Sequence, residues 1–176
     1  MLIYITFGIS PELALTEVPD SPEQKAAYVS ANVPADLVSA ARRRVEEAGL
    51  SPTDDEFNGL LAYVWPAMQK MKVRDDKYRN AREAAFTTVA GREYLRELSI
   101  DELPGLTTPE TTAVMLALAF EMGMPIHFVA PAFGFQKNIP YPDNDELRAM
   151  VTRIWNVCEK FGVSIGFHSG SGKSAE

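Results

Sequence analysis

The sequence predicts an α/β protein built from parallel βα units, and three observations in its C-terminal half carry that prediction. Arg96 to Ile100, Pro125 to Ala130 and Val163 to Phe167 read as apolar strands separated by two helical stretches with short connections, the pattern of right-handed βαβ units. Polar residues stand just past each strand: Asp101 and Glu102, then Gln136 and Lys137, then His168. They recur at about the length of one βα unit, so folding gathers them at one rim of the sheet, where α/β proteins bind their ligands. Finally, FGVSIGFHSGSGKS runs an alternating strand, Val163, Ile165 and Phe167, straight into His168 and a loop of small residues whose backbone can approach a ligand closely.

The elements follow in order. Leu2 to Phe7 is a candidate strand. Pro34 to Ala48 reads as a helix ended by Gly49, with Leu37, Ala41 and Val45 on one face. Asp54 to Leu98 has mainly helical periodicity, interrupted around Pro66, with Phe57, Leu60, Leu61 and Val64 on one face. After the strand at Arg96, Pro104-Gly105 is turn chemistry. Thr108 to Met122 is a helix with a threonine cap, Pro109 in the first turn, Glu110 at the positive end of the dipole and Gly123 as its stop. Beyond the strand PIHFVA comes a proline-rich loop, and Asp143 or Asn144 caps a helix through Lys160. Leu147, Met150, Val151, Ile154, Trp155 and Cys158 mark its apolar face. Residues 1–176 thus form a single α/β domain, mostly helical over 1–98 and βαβαβ over 99–176. The last strand lacks a covering helix, which points to a piece of a longer protein with apolar surface left bare around Val163 to Phe167.

Composition narrows the function. The chain has 176 residues, 46% apolar and 23% charged, with a formal net charge of -7. That charge disfavours nucleic acid and anionic membrane surfaces and favours a small-molecule ligand. The single Cys158 falls in a helical pattern and reads as a buried thiol in a reducing compartment. With no signal-peptide start and no apolar run of transmembrane length, a cytoplasmic location is expected.

Several side chains suggest chemistry. His168 is a candidate metal ligand or general acid/base, and Glu102 and Gln136, at neighbouring strand ends, are candidates to complete an oxygen- and nitrogen-rich coordination sphere. Lys173 in SGSGKS does not make a phosphate-binding P-loop, because the required glycine is replaced by Phe167. The loop can still hold a carboxylate or a phosphate through backbone N–H groups, with Ser169, Ser171 and Lys173 as candidate substrate-binding residues beside Gln136. His127, inside PIHFVA, reads as a structural histidine. The basic stretch KMKVRDDKYRNAR offers Arg74, Lys77 or Arg79 to an anionic ligand, or else a solvated face with Asp75 and Arg79 paired at i, i+4. Tyr4, Tyr63, Trp65 and Trp155 read as core or interface residues.

IDELPGLTTPE, VAPAFGFQKNIPYPDN and FGVSIGFHSGSGKS together resemble the tagaturonate epimerase family of sugar-acid epimerases, over about Ser99 to Ser174 and upstream through WPAMQKMKVRDDKY. The resemblance implies a partial (β/α)-barrel of the TIM-barrel kind, a divalent metal cation, and interconversion of the keto-uronates tagaturonate and fructuronate by inversion at C4. It implies His168 as a metal ligand, and Asp101 and Glu102 in acid/base and metal roles. Lys137 joins them as a catalytic candidate. Family members are considerably longer than this chain. Inverting a carbinol carbon beside a carbonyl develops charge on oxygen and needs a proton acceptor and donor on opposite faces, which these groups can supply. An aldolase or lyase acting on a sugar acid, or a noncatalytic sugar-acid binding fragment, would use the same groups.

Overall fold

The computed structural model describes residues 3–103, 105–135 and 139–168. Its centre is a four-stranded, all-parallel sheet in sequential order: β1 (Tyr4–Gly8), β2 (Leu95–Ser99), β3 (Phe128–Ala130) and β4 (Ser164–Ile165). Sequential parallel order is also the order of strands around a (β/α)-barrel wall; among the described residues the four strands form an open sheet. Between β1 and β2 lie α1 (Ser10–Ala14), α2 (Pro22–Asn32), α3 (Ala35–Glu47), α4 (Asp54–Ala85) and α5 (Val89–Arg92). The crossovers from β2 to β3 and from β3 to β4 are made by α6 (Pro109–Glu121) and α7 (Asn144–Phe161).

Side chains alternate across a strand, and the register therefore assigns two faces. Phe7, Leu98, Val129 and Ile165 share one row, facing the helices, and the first three are buried in the core. Thr6, Glu97, Phe128 and Ser164 share the next row on the opposite face, with Gly8, Ser99 and Ala130 one step nearer the carboxyl rim. Backbone pairing continues past the strands: Ile9 N–H donates to Ser99 O at 3.1 Å, and Ile100 N–H to Ala130 O at 2.9 Å. This carries the register into the rim.

Helix α6 is buried from Thr111 to Ala119, apolar all round because it is enclosed by α3, α4 and α7. Its start is as the sequence indicates: Thr108 Oγ1 accepts from Thr111 N–H, and Pro109 fills the first turn. Asp143 is the cap of α7, accepting from both Asp145 and Glu146 N–H, and Gly162 ends that helix at φ +67°, where a Cβ would be strained.

Four expectations need correction. Pro66 does not interrupt the helix: α4 runs 32 residues through it, begun by the Thr53/Glu56 capping box. An interior proline costs about 3 kcal/mol, and Leu61, Val64, Trp65, Ala67, Met68 and Met71, buried on both sides of it, offset that cost. Trp155 is 44% exposed, because the buried stripe of α7 runs through Met150, Ile154, Val157 and Cys158. Asp75 does not pair with Arg79 on a solvated face. It is fully buried against Arg96 and Tyr94, and Arg79 pairs with Asp76 instead. The last strands are also shorter than expected, β3 starting at Phe128 and β4 ending at Ile165; Val163 is covered while Phe167 is 47% exposed.

Candidate functional site

The polar groups at the carboxyl rim meet around one imidazole. Glu97, in the middle of β2, points to the face away from the helices with its side chain 3% exposed, an uncommon position for a strand carboxylate. Thr6, its neighbour in register on β1, donates its hydroxyl to Glu97 Oε2 at 2.8 Å. His168, just beyond β4, brings Nε2 to 3.1 Å from the same oxygen. Asp101, two residues past β2, is held by the Ser99 hydroxyl at 2.7 Å and lies 3.1 Å from the other ring nitrogen, Nδ1. The loops around this rim are tied together, with Thr107 N–H donating to Ala132 O at 2.9 Å and Ala132 N–H to Thr107 Oγ1 at 2.8 Å.

His168 thus stands between two carboxylates. A neutral imidazole carries one N–H and can satisfy only one of them, leaving a lone pair opposite the other. Either a second proton or a cation relieves that opposition. Burial of the ring works against the charged form, but hydrogen bonding to Glu97 and the charges of Asp101 and Glu97 outweigh it, and the His168 pKa is raised. Tyr4, from β1, is pushed up to about 12 by burial and by hydrogen bonding to Glu97, and its ring packs edge-on against Phe128 at 5.5 Å.

The same geometry suits a metal. Two ligands about 2.1 Å from an ion and near a right angle stand about 3 Å apart, which matches the 3.1 Å between Nε2 and Oε2. Asp101 on Nδ1 then supplies the outer carboxylate that fixes the tautomer of a ligating histidine. Among the described residues no third His, Cys, Asp or Glu completes the set.

Of the residues expected at the site, Asp101 and His168 come together, side chains 18% and 36% exposed. Glu102 is exposed in the turn beside Asp101, which is the acid that turns inward. Gln136, Lys137, Ser169, Ser171 and Lys173 lie outside the described residues. Sequence reasoning missed Glu97 and Thr6; the available signal was an acidic residue in the middle of an otherwise pairable strand. His127 accepts from Arg96 N–H through Nδ1 at 3.2 Å, and its pKa is lowered by burial and by the Arg96 charge, as suits a histidine serving the fold.

Beside the imidazole, Asp101, Phe133, Phe135, Gly166 and Phe167 line a cleft of ≈ 50 Å³, in which the Phe167 and Phe133 rings stack at 5.3 Å. A larger groove of ≈ 610 Å³ between α2, α4 and α6 has its central charges, Lys25 and Asp55, already paired at 2.9 Å, so the rim cleft is the better candidate for chemistry. No helix among the described residues is long and apolar enough to cross a membrane.

No family model matches the chain, and no curated protein matches its sequence. Its fold is similar to crystal structures of the fructuronate-tagaturonate epimerase UxaE from Cohnella laeviribosi. The native structure aligns with a TM-score of 0.66 over 94% of this chain, and the two-glycerol complex with 0.63 over 93%, both at 20% sequence identity. The chain spans 34% of the length of those epimerase chains, and what it shares with that part of them is the fold.

Proposed function

We propose that this chain carries part of the active site of a metal-dependent sugar-acid epimerase, acting on keto-uronates of the tagaturonate and fructuronate type by inversion at C4. The observation that carries the reading is His168 held between Glu97 and Asp101 at the carboxyl rim of a parallel sheet. The fold shared with part of a fructuronate-tagaturonate epimerase supports it. A uronate approaching two carboxylates on a chain of net charge -7 is repelled unless a cation stands between them, which favours a metal here.

His168 Nε2 and Glu97 Oε2 would hold a divalent cation, with Asp101 fixing the ring through Nδ1 and Thr6 fixing the carboxylate. Bound there, the cation would stabilise negative charge developing on a substrate oxygen. Glu102 and Lys137 are the candidates for the proton acceptor and donor that inversion requires on opposite faces. Gln136, Ser169, Ser171 and Lys173 are the candidates to bind the substrate's hydroxyls and carboxylate.

Calorimetric titration with Mn²⁺, and NMR analysis of products from tagaturonate with Mn²⁺ present, test the reading on the chain itself. Binding that is lost in both His168→Ala and Glu97→Gln is the expected result. Binding unchanged in either variant, or absent from the wild type, overturns the metal assignment. Three-carbon products in place of the C4 epimer identify a lyase.

A further inference from the structure

We propose that Gly166 is a positioning residue of the rim site: its missing side chain is the space in which Glu97 seats its carboxylate between Thr6 and His168. The proposal rests on the reading of Glu97 and His168 as the metal-holding pair. A Cβ at position 166 would stand 2.8 Å from Glu97 Oε1, closer than such atoms come, while Val129 O and the Ala130 Cβ are at ordinary distances of 3.7 and 3.9 Å. The clash is therefore with one atom, the oxygen of Glu97 that neither Thr6 nor His168 engages.

Gly166 does not have the positive φ that otherwise calls for glycine. Its N–H donates to Val129 O at 2.7 Å, continuing the pairing of β4 with β3, which any residue but proline could do. Backbone conformation and hydrogen bonding both permit alanine, and only the carboxylate of Glu97 excludes it. A carboxylate on a free side chain would swing aside. Glu97 is almost wholly buried, and its other oxygen is tied to Thr6 and faces His168, so moving it breaks those contacts.

The experiment is a double-mutant comparison of wild type, Gly166→Ala, Glu97→Asp and Gly166→Ala/Glu97→Asp, with Mn²⁺ as the calorimetric probe and urea unfolding measured alongside. Aspartate is one methylene shorter and withdraws from the Cβ position. Gly166→Ala should weaken Mn²⁺ binding by about tenfold or more, as loss of ligand-orienting contacts does. In the Glu97→Asp background, Gly166→Ala should weaken it no further. Wild-type Mn²⁺ affinity in Gly166→Ala, or an equal loss in both backgrounds, overturns the proposal. If wild type binds no Mn²⁺, the metal reading fails by itself. The unfolding midpoints then decide: non-additive effects at 166 and 97 support the steric coupling and additive ones overturn it. If Gly166→Ala does not fold, recovery in the Glu97→Asp background supports the proposal, and failure to recover overturns it.

Discussion

His168 Nδ1 lies 3.1 Å from Asp101 Oδ2, although 67 positions separate the two residues. Asp101 follows β2, His168 follows β4, and β3 lies between, so the contact exists only while three strands hold their parallel register. The candidate site is therefore a product of sheet assembly. A variant that disturbs the sheet loses the site, but the site can be lost without disturbing the sheet.

That asymmetry separates the two histidines. His168→Ala removes a partly exposed ring beyond the end of its strand, so little cavity forms and the thermal midpoint should stay within a few degrees of wild type. His127→Ala leaves the Arg96 N–H without its acceptor, which should cost about 1 kcal/mol while leaving Mn²⁺ binding unchanged. Parallel melts and metal titrations check the contrast.

Asp75 and Arg96 form a buried pair, Arg96 Nε donating to Oδ1 at 2.7 Å with side chains 0% and 10% exposed, and Tyr94 hydroxyl donates to the same oxygen. Asp75→Ala should destabilise the chain by about 3–5 kcal/mol, because Arg96 keeps its charge and loses its partner. Asp145→Ala breaks a pair whose side chains are 92% and 81% exposed, and urea unfolding should show no measurable loss from breaking it.

The share of the metal-free protein's stability that His168 supplies should fall as pH rises above 6.5. The folded His168 pKa is raised above the unfolded value of 6.5. Its contribution is complete below that unfolded value and disappears as pH passes through the folded one. His127, with a lowered pKa, contributes with the opposite sign. The difference in urea midpoint between wild type and His168→Ala isolates the effect, and it should shrink as pH rises from 6.5.

Burial pushes the Cys158 thiol up to about 12. Alkylation by iodoacetamide should be negligible in the native protein and rapid in urea, with a native rate that follows the frequency of opening around α7. Fast native labelling would show that α7 is not held as the packing indicates.

Much of the fold was legible because α6, α7 and the strands around them carry local signals: Thr108-Pro109, Asp143, Gly162, and apolar runs between turn residues. The rim was legible for the same reason, since Asp101 and His168 both follow strands. Glu97 was not. In LRELS, Leu95, Glu97 and Ser99 share one face and Arg96 and Leu98 the other, so each face mixes apolar with polar residues and alternation does not say which is buried. Only assembly of the sheet, with β1 beside β2 and β4 one strand further on across β3, gives Glu97 its partners Thr6 and His168. Asp75 was obscured similarly, because Asp75 and Asp76 are adjacent in sequence, yet the helix turns one toward Arg96 and the other toward Lys72 and Arg79.

The neighbours Arg96 and Glu97 place opposite charges on opposite faces of one strand, each already matched by its surroundings. Sliding β2 by a single residue would carry a carboxylate into the layer where Asp75 waits and a guanidinium into the pocket of the imidazole. Hydrophobic content alone would barely resist that slip, since the strand has leucine at both parities. Charge therefore acts as a key that fits its lock at one setting, and the same two residues that equip the rim and brace the helices also keep the sheet in alignment.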